Sequence, residues 1–206
     1  MTLIAVLDYE IGNLRSAQKA LEHVGADARL TADPALIRDA AGVVLPGVGA
    51  FGRCMDALRR TELDVLAHEA VDAGRPFLGI CIGMQMLFEG SEESPDAAGL
   101  GVLPGKVRLV PGDVKRPQMQ WNLLQRRGDP ALLAGTGPEP WAYFVHSYAA
   151  ETDDAIISST CDYGGPVVAS IESGAVWATQ FHPEKSGRTG LTALRSFVER
   201  AEQGGR

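Results

Sequence analysis

Residues 79–83 read Gly-Ile-Cys-Ile-Gly, a cysteine with glycine two positions to either side, where an apolar run gives way to a helical pattern. That is the spacing of a nucleophile elbow with sulfur in place of oxygen. A turn sharp enough to aim one side chain out of a sheet leaves little room for neighbouring Cβ atoms, which is why glycine flanks it. A helix beginning there directs amide dipoles at the sulfur and favours thiolate. Cys81 is therefore the candidate nucleophile. Cys54 falls in a helical pattern with Leu58, and Cys161 ends a strand-like run. Both read as small buried hydrophobes.

A thiolate attacking a carbonyl carbon needs a proton carrier, and the chain has four histidines. His23 and His68 lie in amphipathic helical stretches and read as parts of solvated faces. His146, in the strand-like "FVHSYAA", fits a core position as well as a site. His182 stands just past an apolar run in "ATQFHPEKSG", followed by Pro183 and Glu184. Extended backbone puts residues two apart on one side, and proline favours that extension. Glu184 can then bond one ring nitrogen, fix the tautomer and stabilise the imidazolium, the third-member role of a triad. The order nucleophile, histidine, acid differs from the Ser, acid, His order of α/β-hydrolases.

Residues 47–52, Gly-Val-Gly-Ala-Phe-Gly, match G-x-G-x-x-G. A dinucleotide site is disfavoured: the stretch follows the third strand signal, and the acids about 20 residues on lie in a helical pattern. The reading preferred is that the backbone of Gly47, Val48 and Gly49 approaches a substrate oxygen and donates amides to an oxyanion.

The elements that must carry these residues alternate in the first half. "LIAVLD", "DARLT", "GVVLPG" and "RPFLGIC" read as strands. Helical signals lie between them: Leu14, Ala17, Leu21 and Val24 with Asn13 as cap and Gly25 as stop, then "DPALIRDA", then two helical stretches over residues 53–73; after the fourth strand, 84–88 also reads as helical. Such alternation predicts a mostly parallel sheet covered on both faces. The second half reads as strands, "GKVRLV", "AYFVHSYAA", "AIISST", "PVVASIES" and "AVWATQF", with a hairpin at Gly174 and antiparallel additions. Leu191, Leu194, Val198 and Ala201 mark a last helix. No linker divides the chain, so one α/β domain over 1–206 is expected.

Composition bounds the function. The 206 residues carry 26 acids and 19 bases, a net charge of −7, with no basic run to suit nucleic acid. No apolar stretch reaches the ~20 residues of a membrane span. The start has no basic leader before its short apolar run. Three widely spaced cysteines argue against a disulfide framework and for the reducing cytoplasm.

With these residues assembled, the chain resembles the class I (triad) glutamine amidotransferases. "PFLGICIGMQMLFEGSEE" matches the nucleophile segment and "TQFHPEKSG" the His-Glu segment. "PGVGAFG", "YFVHSYAA" and "DYEIGNLRSAQKALEHVG" narrow the resemblance to the glutaminase subunits of imidazole glycerol phosphate synthase, in histidine biosynthesis. It spans residues 8–187. It implies a three-layer, flavodoxin-like fold and a Cys81 thioester formed from L-glutamine. His182 would protonate the leaving ammonia and then activate water, with Glu184 orienting it. Gly47 to Gly49 correspond to the oxyanion strand, while Gln85, Ser147 and Tyr148 fall where the family holds glutamine. No cofactor or metal is implied. The implied partner is a separate (β/α)8-barrel cyclase in a heterodimer, reached through Trp121, Tyr143 and Lys185. It would use the ammonia to turn the phosphoribulosyl-formimino-AICAR phosphate intermediate into imidazole glycerol phosphate and AICAR.

The chain departs from the family at Gln118 and Gln120, where His and Gly are usual, and at Glu10, where Gly is common. These changes are expected to bear on the partner contact. Three other functions share parts of this pattern. A glutaminase serving pyridoxal 5'-phosphate synthase would carry a Gly-Gly-Glu-Ser-type oxyanion segment. A silent regulatory module would have lost Cys81, His182 or Glu184. A stand-alone cysteine peptidase would use similar chemistry.

Overall fold

A computed structural model of the protein describes residues 1–204. Its first half lays down strand and helix in turn: β1 (Leu3–Leu7), α1 (Leu14–His23), β2 (Asp27–Thr31), α2 (Pro34–Asp39), β3 (Gly42–Gly47), α3 (Phe51–Arg60), α4 (Leu63–Asp72), β4 (Phe77–Cys81) and α5 (Ile82–Met86). β3 and β4 are buried at every residue, as strands covered on both faces must be. Asp33 caps α2 by accepting from the Ala35 amide at 2.9 Å, with Pro34 in the first turn. Asn13 precedes α1 as expected, but its side chain accepts from the Ser16 hydroxyl and caps no amide.

The two helical stretches expected over 53–73 are α3 and α4. Glu62, at φ +58, turns the chain between α3 and α4. The helix after the elbow starts at Ile82, two residues earlier than its apolar pattern suggests.

The second half contributes β5 (Gly90–Ser91), β6 (Ser94–Ala98), β7 (Lys106–Leu109), β8 (Gln118–Leu123), β9 (Gln125–Arg126), β10 (Trp141–His146), β11 (Tyr148–Glu151), β12 (Ile157–Asp162), β13 (Pro166–Ser173), β14 (Val176–Thr179) and α6 (Gly187–Gly204). The main sheet runs β2-β1-β3-β4-β14-β13-β12-β9. Pairing is parallel from β2 through β14 and antiparallel beyond it. The β13–β14 hairpin turns at Gly174, φ +56. α1 packs with α6, and α4 with α2 and α3, in a three-layer arrangement whose core runs the length of the sheet.

"AYFVHSYAA" is not one strand. It divides at Ser147 into β10, which pairs with β8, and β11, which pairs with β7 in a separate four-stranded sheet. The short strands β5, β6 and β9, and all of β8, have no counterpart in the apolar pattern because most of their residues face solvent or are polar.

Candidate active site

β4 ends at Cys81 with φ +56 and ψ −110, a conformation that L residues rarely adopt. The backbone reverses there into α5, and the glycines are sterically required. A Cβ on Gly83 would stand 1.8 Å from the Leu45 carbonyl oxygen, and one on Gly79 would meet Gly83, Met84 and Leu87 at 2.9 Å. Close packing of the elbow against β3 thus holds the sulfur at the carboxyl end of the parallel strands, where open α/β sheets bind ligands.

One strand away, β14 runs parallel to β4 and leads through Gln180 to His182. His182 is extended, φ −92 and ψ 98, but the chain then closes a 3₁₀ turn over Pro183–Lys185. Glu184 reaches the ring through that turn and not through continued extension. The His182 Nδ1–H donates to Glu184 Oε1 at 2.8 Å, with both side chains buried. Cys81 stands near the ring and lines the same cavity. Burial alone would push the imidazole down, but the hydrogen bonds to Cys81 and Glu184 and their charges outweigh it and raise the ring to about 10. The arrangement can hold an imidazolium between a carboxylate and a nucleophilic sulfur.

Cys81 and His182 open onto a cavity of about 270 Å³, near the lower end of small-molecule sites. Val48, Gly49, Gln85, Ser147 and Tyr148 also line it. Gly47 does not. It pairs with Cys81 across β3 and β4 and packs behind the wall, where a Cβ would meet the Gly83 amide at 2.7 Å and the Tyr9 hydroxyl at 2.9 Å. Gly49, at φ +92, needs glycine for its backbone and not for space, since a Cβ there meets nothing within 4 Å.

Three further polar residues belong to the site. Gln180, two residues before His182, donates its amide to Cys81 Sγ at 3.8 Å, and its Oε1 accepts from Gln85 Nε2 at 3.0 Å. Glu93, in the acidic pair that follows the elbow helix, lines the cavity and accepts from the Phe51 amide at the start of α3. His146 lines it as well. Its Nδ1–H donates to the Tyr148 carbonyl at 2.8 Å, so Nε2 is left as an acceptor; it and Gln85 Oε1 are buried with no protein partner. Burial pushes the His146 ring down to about 4 and keeps it neutral. Two bare acceptors and a carboxylate suit a ligand rich in N–H donors. The alternation of β14 could have suggested Gln180; nothing local marks Glu93.

Trp121 and Tyr143 are cross-strand partners on β8 and β10, their rings edge to face at 6.1 Å, and Trp121 is half exposed. Lys185 is exposed on the turn after Glu184. The departures at 118 and 120 do not both face outward. Gln118 is fully buried and, like Gln120, donates to Asn122 Oδ1, while Asn122 Nδ2 donates to the Asp162 carbonyl at 2.7 Å. Glu10 sits at φ +69 and pairs with Arg60 at 2.9 Å.

Comparison with known proteins identifies the family and the fold. The glutamine amidotransferase class-I family profile matches residues 5–201. The chain is 50% identical over 201 residues to the imidazole glycerol phosphate synthase subunit HisH of Synechococcus elongatus, covering 95% of this chain and 92% of that one. It is 47% identical over 197 residues to the HisH subunit of Methanothermobacter thermautotrophicus, covering 96% and 98%. Among solved structures, a glutamine amidotransferase superposes with a TM-score of 0.77 at 20% identity, covering 97% and 98% of the two chains. PurLQS from Thermotoga maritima does so at 0.72 and 20%, covering 96% and 98%. At such identity the structures establish the fold.

Proposed function

The chain belongs to the class-I glutamine amidotransferase family and, within it, to the HisH subunits of imidazole glycerol phosphate synthase; from that premise we propose that it hydrolyses L-glutamine and passes the ammonia to a separate cyclase. The supporting observation is that His182, bonded to Glu184, shares one small-molecule-sized cavity with Cys81.

The Cys81 sulfur attacks the side-chain carboxamide carbon of glutamine, and the carbonyl electrons move onto oxygen. Backbone amides at Val48–Gly49 and after Cys81 stabilise that oxyanion. The carbon–nitrogen bond then breaks as His182 gives its proton to the nitrogen, releasing ammonia and leaving a thioester. The neutral ring next takes a proton from water, which attacks the thioester; glutamate leaves with the sulfur restored. Glu184 holds the ring and balances its charge in both halves. Glu93 suits the substrate ammonium, and Gln85, Ser147 and Tyr148 suit its polar backbone end.

Ammonia released into neutral water is mostly protonated and no longer a nucleophile. That chemistry calls for direct transfer, which the word "subunit" in the relatives' name supports. The partner proposed is the (β/α)8-barrel cyclase that forms imidazole glycerol phosphate and AICAR, docked over Trp121, Tyr143 and Lys185. The chain would work as one glutamine amidotransferase domain over 1–206. A cytoplasmic place agrees with three free cysteines and with the absence, among the described residues, of a helix able to cross a membrane.

The test is glutamate release by the wild type and by Cys81→Ala, each with and without the cyclase. Wild type should be slow alone and accelerated by the cyclase carrying its substrate, and Cys81→Ala should be inactive with an unchanged circular dichroism spectrum. Turnover by Cys81→Ala near the wild-type rate would remove the mechanism, and equal wild-type rates with and without the cyclase would remove the partner.

A further inference from the structure

Gln180 is fully buried between β14 and His182 and lines no part of the cavity. Its backbone amide donates to the Ala169 carbonyl of β13 at 2.9 Å, which fixes where the side chain starts. That side chain belongs to a series of hydrogen bonds whose direction is set at one end. The Tyr148 carbonyl can only accept, so the Gln85 atom 2.9 Å from it is the amide nitrogen. The same nitrogen carries a second hydrogen and stands 3.0 Å from the Gln180 amide, which must therefore turn its oxygen to it. Gln180 is left with its nitrogen toward Cys81 and donates to Sγ at 3.8 Å. A backbone carbonyl at one end thus dictates that the sulfur at the other end meets a hydrogen.

A hydrogen facing sulfur distinguishes its two charge states. A thiolate accepts strongly, whereas a thiol is a weak acceptor with a hydrogen of its own to place. The Gln180 amide therefore favours the form of Cys81 that attacks. It reaches the sulfur from outside the cavity, so it acts there without meeting substrate. The two glutamines divide the work: the same polarity leaves Gln85 Oε1 buried with no protein partner, on a residue that does line the cavity.

We propose that Gln180 is a catalytic residue of this site: its amide, turned by Gln85, donates to the Cys81 sulfur and stabilises the thiolate. This deepens the glutaminase reading and rests on it for the identity of the nucleophile.

Alkylation by iodoacetamide reads the sulfur directly. The thiolate bonds the methylene carbon, iodide leaves with the bonding pair, and mass spectrometry scores the product at Cys81. Gln180→Met keeps an unbranched side chain of similar length without the N–H. In the full chain, the acid limb of its rate profile should stand about one pH unit above that of wild type, about 10-fold slower on the limb, as loss of a charge-assisted hydrogen bond implies. At alkaline pH it should react at least as fast as wild type, since a less stabilised thiolate is the better nucleophile. The ionisable groups that feel the Cys81 charge are His182, Tyr9 and Cys54, and the substitution alters none of them. Glutamine KM, measured with saturating cyclase, should stay within about 2-fold.

Gln85→Leu is the second variant. It removes the group that turns the Gln180 amide, so its acid limb should rise as well, by less, and KM should rise with it because Gln85 lines the cavity. An acid limb unmoved in Gln180→Met, or a rate lowered equally at every pH, would overturn the proposal. If Gln180→Met fails to fold, the Gln85→Leu limb decides by itself, and its standing at the wild-type position would overturn the proposal equally. A wild type that releases no glutamate would instead overturn the glutaminase reading and leave the alkylation result in place.

Discussion

At position 182 two influences pull one ring in opposite directions. Burial disfavours the imidazolium, whereas the bonds to Cys81 and Glu184 favour it more strongly, and the ring ends near 10. Its unfolded value is about 6.5, so the folded state binds this proton more tightly. The contribution to stability is complete below pH 6.5 and is lost as pH rises through 10. Melting wild type beside His182→Asn should show the widest gap near pH 6 and a narrowing one toward pH 10; a gap that widens with pH would contradict the charge arrangement. His146 runs the other way, since burial favours its neutral form. Chemistry of this kind was legible in the sequence where one segment carried it: Cys81 between its glycines, and His182 with Glu184 two residues on. It was not legible where distant elements meet. Gln180 joins Gln85, 95 residues earlier in the chain, and Glu93 meets the cavity only because β5 and β6 bring it beside α3.

At the scale of elements, the parallel half of the sheet could be read because its buried strands are short apolar runs separated by helical patterns. The second half could not, because its strands are defined by partners far along the chain. Residues 142–150 carry one continuous strand-like pattern, yet β10 and β11 belong to different sheets, and the break at Ser147 exposes that residue to the cavity. The elbow lies at the other extreme, fixed by local sterics. Gly83→Ala would place a methyl carbon 1.8 Å from the Leu45 oxygen, a backbone atom that cannot step aside without moving β3. The expected cost is about 3 kcal/mol, at the upper end for overpacking. Urea unfolding should show it as a lower midpoint at constant slope. A midpoint equal to wild type would mean that the elbow tolerates a Cβ, and that its glycines need another explanation.

Besides the four-stranded sheet, a two-stranded ribbon stands outside the main sheet. β8 and β10 pair only with each other and carry Met119, Trp121 and Trp141, which are 62%, 47% and 49% exposed. Large apolar side chains gathered on one exposed surface mark an interaction site more often than chance exposure. The ribbon is also wired to the chemistry, since the Tyr143 carbonyl accepts the His182 amide at 3.0 Å and the Tyr143 amide donates to Ser186 Oγ at 2.9 Å. A partner seated on Trp121 and Tyr143 would press on the backbone that carries the His182 imidazole. Half-exposed tryptophans contribute little to a subunit's own stability but are frequent anchors at interfaces. Trp121→Ala should therefore leave the urea midpoint of the isolated chain within the equivalent of about 0.5 kcal/mol. Titration calorimetry with the cyclase should show binding weaker by about 2 kcal/mol, roughly 30-fold in Kd. Unchanged affinity would move the docking face elsewhere on the molecule, and a large loss of the chain's own stability would make Trp121 a core residue of the ribbon instead of its contact surface.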